Sequence, residues 1–281
     1  MENEVTKSDI MQLQRALREN VAPELAVDGI WGNSCDIALD LYATTNAITI
    51  VAAKELLYKY AETRYVSDSA FETAAAALSV PKSYVRAIAE VETNGVSFLK
   101  DGSVKILFER HWFKRKLGES LATPAVRINV AIKLGVDLPA GADAGAKLLA
   151  LVEKKYGNLC SSERGGYKGG AEEWARLNLA MDFDVEAAAQ STSYGGYQLM
   201  GFNHAACGYK SAREMMIELA KSESSQFLAM ISFIKANKPM HAALKRGDWA
   251  KFAELYNGAA YKENKYDIKL ASSEKKWKNV A

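Results

Sequence analysis

The chain has 281 residues, 49% of them apolar and 25% charged, enough to bury one large core and a smaller second one. Its formal net charge of +2 is too balanced to point to nucleic acid as a partner, and no apolar run reaches the roughly 20 residues of a membrane span, so no stable membrane insertion is expected. Cys35, Cys160 and Cys207 are odd in number and widely spaced, which fits neither a disulfide framework nor a metal site and points to reduced thiols.

The N-terminal stretch MENEVTKSDI is acidic and polar, with no apolar core of a secretory signal, so none is expected. Ile10, Leu13, Gln14 and Leu17 follow at helical spacing. A loop then carries Asp28-Gly29-Ile30-Trp31-Gly32. A second helix is predicted from about Ser34 to Tyr42, and a third from Ile48 to Tyr60 with Val51, Leu56, Leu57 and Tyr60 as its stripe. Three short helices around a Gly-rich turn make a small domain over residues 1–62. The polar and charged stretch that follows predicts a linker over 63–69, leaving 70–281 as a larger, mostly helical domain.

Within that larger domain, the segment from Val80 to Gly95 predicts a helix. Ser79 can cap it, Pro81 suits its first turn, and Gly95 suits the left-handed residue past its end. Its apolar stripe is Tyr84, Val85, Ile88 and Ala89, and the next position on that stripe is Glu92. A carboxylate facing the core from a helix end is partly desolvated, so its pKa rises and it keeps a proton near neutral pH, as a general acid requires. Glu90 points elsewhere, four residues after Arg86, as in an exposed ion pair. Beyond Glu92, Val96–Leu99 and Val104–Phe108 flank Asp101-Gly102, a hairpin signal, and the second strand ends in Glu109-Arg110-His111. A helix thus delivers one carboxylate and the adjoining hairpin returns another. Two carboxyl groups across a cleft are the equipment for cleaving a glycosidic bond, one protonating the leaving oxygen while the other activates water, attacks, or stabilises charge on the sugar. Spacing alone leaves the inverting and retaining mechanisms open. A surface Glu92 and a structural Glu-Arg-His ion-pair network are the competing explanations.

AEVETNG (89–95) with the hairpin and ILFERHWF (106–113), STSYGGYQLMGFNHAACGY (191–209) and YNGAAYKENKY (256–266) resemble, in this order, the phage-type N-acetylmuramidase domain of modular endolysins. That family belongs to the lysozyme-like superfamily. The resemblance implies a lysozyme-like α+β domain with a small β-hairpin or sheet, Glu92 as general acid and Glu109 as second carboxylate. Ser193, Tyr194 and Gln198 fall in its Gly-bearing turn, where the backbone can approach a ligand and Gln198 offers a donor and an acceptor to a sugar. Tyr194 stands where the family often has Trp, which implies sugar stacking, whereas a plain structural turn with Tyr197 buried is the alternative. Tyr256 and Asn257 resemble the Tyr-Asn pair that lines the cleft of related enzymes, and a helix C-cap at Asn257 or Gly258 is compatible with that place.

LQRALRENVAPELAVDGIWGNSCDIALDLY (13–42) is similar to the three-helix peptidoglycan-binding domain, whose mark Asp-Gly-x-x-Gly stands intact here. Asp28 and Trp31 are its candidate wall-binding residues, although Asp28 can also bond local amides and Trp31 can close the miniature core. The whole is therefore expected to be mainly α. It would be a muramidase acting on bacterial peptidoglycan as a monomer, held in the host cytoplasm until a holin opens the membrane to the periplasm and wall. His111, His204 and His241 match no ligand pattern, so no metal is expected, and glycosidase chemistry implies no cofactor. A lytic transglycosylase forming 1,6-anhydro products and a non-catalytic wall-binding or virion protein are the alternatives.

Overall fold

The structure, a computed structural model, describes residues 7–93 and 97–279. Helices α1 (Lys7–Asn20), α2 (Asn33–Thr45) and α3 (Ile50–Arg64) enclose a small core of their own around Leu13, Leu17, Cys35, Leu39 and Leu57. Gln14, 1% exposed, organises the turn that joins α1 to α2. Its Oε1 accepts from the amides of Asp28 at 3.1 Å and Gly29 at 2.9 Å, and its Nε2 donates to Asp28 Oδ1 at 2.9 Å and Ile30 O at 3.0 Å. Gly29 has φ +75°, and a Cβ there would meet Lys7 Cγ at 2.4 Å, so no other residue fits this turn.

Two sequence expectations change here. The buried face of α3 is Ala53, Leu57 and Ala61, whereas Val51 and Leu56 of the predicted stripe are 68% and 49% exposed. No polar linker spans 63–69 either. Helix α3 runs on to Arg64, and only three residues separate it from α4 (Asp68–Leu78), the last of them its cap Ser67. Tyr65 is buried in the small core and Val66 in the large one. Two apolar side chains anchored in different cores hold a segment whose polar neighbours suggested a free tether.

Ser79 takes the left-handed conformation that ends α4, φ +55°, so it closes that helix instead of capping the next. Helix α5 (Lys82–Thr93) buries Val85, Ile88 and Ala89 as its stripe requires. The expectation for Gly95 lies outside the described residues. The predicted hairpin shrinks to its tip. Asp101 Oδ1 accepts from the amide of Ser103 at 2.9 Å, and one antiparallel bridge joins Phe98 to Val104. The chain then turns to other partners. Strand β1 (Ile106–Phe108) pairs antiparallel with β2 (Thr192–Tyr194), which pairs with β3 (Leu199–Met200), in registers Leu107 to Ser193 and Ser193 to Met200. Ile106 and Phe108 alternate into the core, and a distant strand satisfies them better than the short hairpin arm does.

Between β1 and β2 come α6 (Arg110–Ser120), α7 (Pro124–Leu134), α8 (Ala144–Lys155), α9 (Ala171–Met181) and α10 (Val185–Gln190). The buried Ala187, Ala188 and Ala189 of α10 let its neighbours close on it. After the sheet follow α11 (Ala212–Leu219), α12 (Glu223–Ala236), α13 (Lys238–Lys245), α14 (Trp249–Asn257) and α15 (Tyr266–Lys278), the last packed along α5. Glu90 fastens that packing, accepting from Ser273 Oγ at 2.7 Å, Lys276 Nζ at 2.7 Å and Trp277 Nε1 at 2.5 Å. Glu90 is exposed and ion-paired as expected, but its partner is Lys276, while Arg86 pairs with Asp68 instead.

Candidate active site

Glu92 lies in the last turn of α5, half-buried. Asn257, the last residue of α14, brings Nδ2 to 3.3 and 3.2 Å from its two carboxylate oxygens. Burial drives the Glu92 pKa up to about 7, against the opposing pull of the Asn257 hydrogen bond and the Lys269 charge. Near neutral pH the group therefore carries a proton a substantial part of the time. Asn257 Oδ1, buried and without a hydrogen-bond partner among the described residues, leaves an acceptor beside the acid.

Tyr256 turns the other way. Its ring stacks on Phe252 with centroids 5.7 Å apart, and its hydroxyl donates to Tyr197 O at 3.3 Å. The Tyr-Asn pair thus divides, Asn257 holding the acid and Tyr256 tying α14 to the turn between β2 and β3. That turn is Gly195-Gly196, and its close approaches are to protein. A Cβ on Gly195 would lie 2.1 Å from Gln226 Oε1, and one on Gly196 would lie 2.9 Å from Thr93 Cγ2, beside Glu92. Gln226 Oε1 accepts from the Gly196 amide at 2.8 Å and ties the turn to α12.

Ser193 is buried and donates to Gln198 Oε1 at 2.9 Å, while Gln198 Nε2 donates to Gly195 O at 2.7 Å. Gln198 keeps one amide hydrogen and one acceptor site for a ligand, and Ser193 serves to hold it. Tyr194 corrects an expectation. Its ring is 0% exposed and its hydroxyl donates to Ala189 O at 3.0 Å, so it belongs to the core and cannot stack on a sugar.

Glu109 caps α6 at the end of β1, its amide donating to Ser191 O at 2.9 Å. The sheet therefore links the second carboxylate to the turn that abuts the first. Tyr167 Oη donates to Glu109 Oε2 at 2.8 Å, and His111 Nδ1 lies 3.2 Å from the same oxygen. Burial, aided by Arg164 and Arg110, outweighs the pull of Glu109 and pushes the His111 pKa below the usual imidazole value. At neutral pH that contact is accordingly not an ion pair.

A family model described as N-acetylmuramidase matches residues 81–278. The chain belongs to the N-acetylmuramidase family. The crystal structure of the endolysin of Burkholderia phage AP3 resembles it with TM-score 0.64 and 34% identity, over 96% of this chain and 96% of that one. No curated protein matches the chain. The protein is therefore a peptidoglycan hydrolase, a glycoside hydrolase of the N-acetylmuramidase type within a mainly helical lysozyme-like fold.

In the N-terminal domain of this muramidase, Asp28 is occupied internally, Oδ1 accepting from Gln14 and from the Ile30 amide at 2.9 Å each. Trp31 is half-buried against the small core, donates Nε1 to Asp36 Oδ1 at 2.8 Å, and lines a cavity of about 190 Å³ with Ile10, Leu13, Lys54 and Tyr58. Trp31 thus packs against the small core and also lines this cavity. Tyr167 and Gln226 were not anticipated from the sequence. The run Gly165-Gly166-Tyr167-Lys168-Gly169-Gly170 was a signal for the first, whereas nothing in the sequence pointed to Gln226.

Proposed function

We propose that the muramidase cleaves the β-1,4 bond between N-acetylmuramic acid and N-acetylglucosamine, with Glu92 as the proton donor to the leaving oxygen and Glu109 as the second carboxylate. The observation that carries this reading is Glu92 itself, a carboxylate pushed to about 7 by burial and held by one neutral amide beside an unfilled acceptor. Asn257 orients the acid, Ser193 holds Gln198, and Gln198 offers the sugar its remaining donor and acceptor. Zymography on purified peptidoglycan with Glu92→Ala beside wild type tests the acid, and equal clearing by both proteins would sink it. Mass spectrometry of the released fragments tests the bond. Reducing N-acetylmuramic acid ends are expected, reducing N-acetylglucosamine ends would move the cut to the other bond, and 1,6-anhydro ends would make the protein a transglycosylase.

The small N-terminal domain is the wall-binding part on this reading, with Trp31 the ligand-facing residue in the cavity it shares with Tyr58 and Lys54. The protein works as a monomer and reaches the wall from the host cytoplasm once a holin has opened the membrane. Fractionation of cells expressing it with and without a holin tests the route. Protein found in the periplasm in the holin's absence would refute it.

A further inference from the structure

Residues 163–170 run past Glu109 without regular secondary structure, and Gly165, Gly166, Gly169 and Gly170 take φ of +93, +77, +77 and +55°. Glycine supplies the bends, but the segment is not loose, because both its ends are fastened to the two residues that flank Glu109. On one side Arg110 donates Nε to Glu163 O at 2.9 Å and Nη2 to Arg164 O at 2.8 Å. On the other side Glu173 Oε1 accepts from the amides of Lys168 at 2.5 Å and Gly169 at 3.1 Å. Its Oε2 accepts from the amide of Phe108 at 3.1 Å and from Arg176 Nη1 at 2.7 Å. Glu173 is 0% exposed, so this anchor works away from water, where a charged acceptor binds its donors most firmly. Between the anchors stands Tyr167, its ring 44% exposed and its hydroxyl on Glu109 Oε2.

We propose that 163–170 is a strap registered on Glu109, in which Tyr167 is a positioning residue that holds Oε2 of Glu109 through its hydroxyl and offers its exposed ring to a pyranose of the glycan. Oε1 receives no donor among the described residues and is the oxygen left for the reacting water or sugar. Fastening the strap to Phe108 and Arg110 makes the place of Tyr167 follow the backbone of Glu109 itself, which a flexible loop anchored elsewhere would not do. The inference rests on the role given to Glu109 above.

The test is steady-state kinetics of the full chain on soluble peptidoglycan fragments, with Tyr167→Phe, Tyr167→Ala and Glu109→Gln beside wild type. Tyr167→Phe is expected to lower kcat roughly tenfold with KM within about twofold, the loss of one hydrogen bond to a charge. Tyr167→Ala is expected to raise KM as well. A Tyr167→Phe enzyme with wild-type kcat and KM, beside an inactive Glu109→Gln, overturns the positioning role and leaves that of Glu109 standing. A fully active Glu109→Gln removes both.

Discussion

Replacing Glu92 by Gln removes the ionisable group while keeping its shape and its contact with Asn257, so it separates the acid's contribution to catalysis from its effect on stability. The folded protein holds the Glu92 proton up to about pH 7, whereas the ordinary value is 4.5. Between those values the folded state binds more protons than the unfolded chain, so stability falls as pH rises through that window and the loss is complete above it. The gap from 4.5 to about 7, at about 1.4 kcal/mol per unit, caps the cost at roughly 3.5 kcal/mol. Glu92 is only half-buried, and solvent screening trims this to roughly 1–2 kcal/mol. Glu92→Gln should therefore melt about 2–6 °C above wild type at pH 8 and together with it at pH 4, while losing the clearing of peptidoglycan. Thermal melts by circular dichroism at the two pH values, with zymography alongside, check both halves. Equal melting temperatures at pH 8 would refute the claim that the carboxylate is held against its solvation. Retained clearing would refute its role as acid.

Asn257→Ala removes the hydrogen bond that opposes burial at Glu92, so the basic-side fall of activity should move to higher pH, and an unmoved profile would show that the amide does not act on the acid. Glu173→Gln leaves Arg176, 5% exposed, buried without its counter-charge and should cost about 3–5 kcal/mol, read as a drop in melting temperature of at least about 6 °C. Gly195→Ala puts a Cβ 2.1 Å from Gln226 Oε1 at φ +72°, while Gln226 is pinned by the Gly196 amide and by Leu219 O at 3.0 Å. A loss above about 2 kcal/mol in urea unfolding is expected, and a shift under 0.5 would mean the turn can yield.

Elements with strong local signals were legible in the sequence. The stripe of α5 gave the place of Glu92, and the Asp28-Gly29 turn gave the small domain its centre. What failed depended on partners far along the chain. The β1 sequence is equally suited to a hairpin or to pairing with β2, and the choice is made by where Ile106 and Phe108 find a core. Tyr194 is indistinguishable from a ligand-facing aromatic until the packing of α10 covers it, whereas the burial of Tyr197 was the alternative the turn already offered. The connection between α3 and α4 is shorter than 63–69, and its buried Tyr65 and Val66 were hidden among polar neighbours. Tyr167 escaped because a Gly-rich run ordinarily signals freedom, and only Arg110 and Glu173 reveal that this one is tied down.

Glu90 and Glu92 show why a carboxylate's place on a helix does not by itself decide its chemistry. They stand two residues apart on α5, Glu90 exposed at one edge and Glu92 half-buried. Burial raises the pKa of Glu90 too, but three donors, one of them the Lys276 ammonium, outweigh it and hold the group below its ordinary value. Glu92 has one neutral amide at 3.2–3.3 Å and a lysine charge acting without a direct hydrogen bond, and there burial wins. The same helix thus makes one carboxylate a fastener for α15 and leaves the other able to keep a proton near neutral pH, and the difference lies in what α14 and α15 bring to each. A helix stripe places the acid, whereas the supply of donors decides whether it keeps its proton.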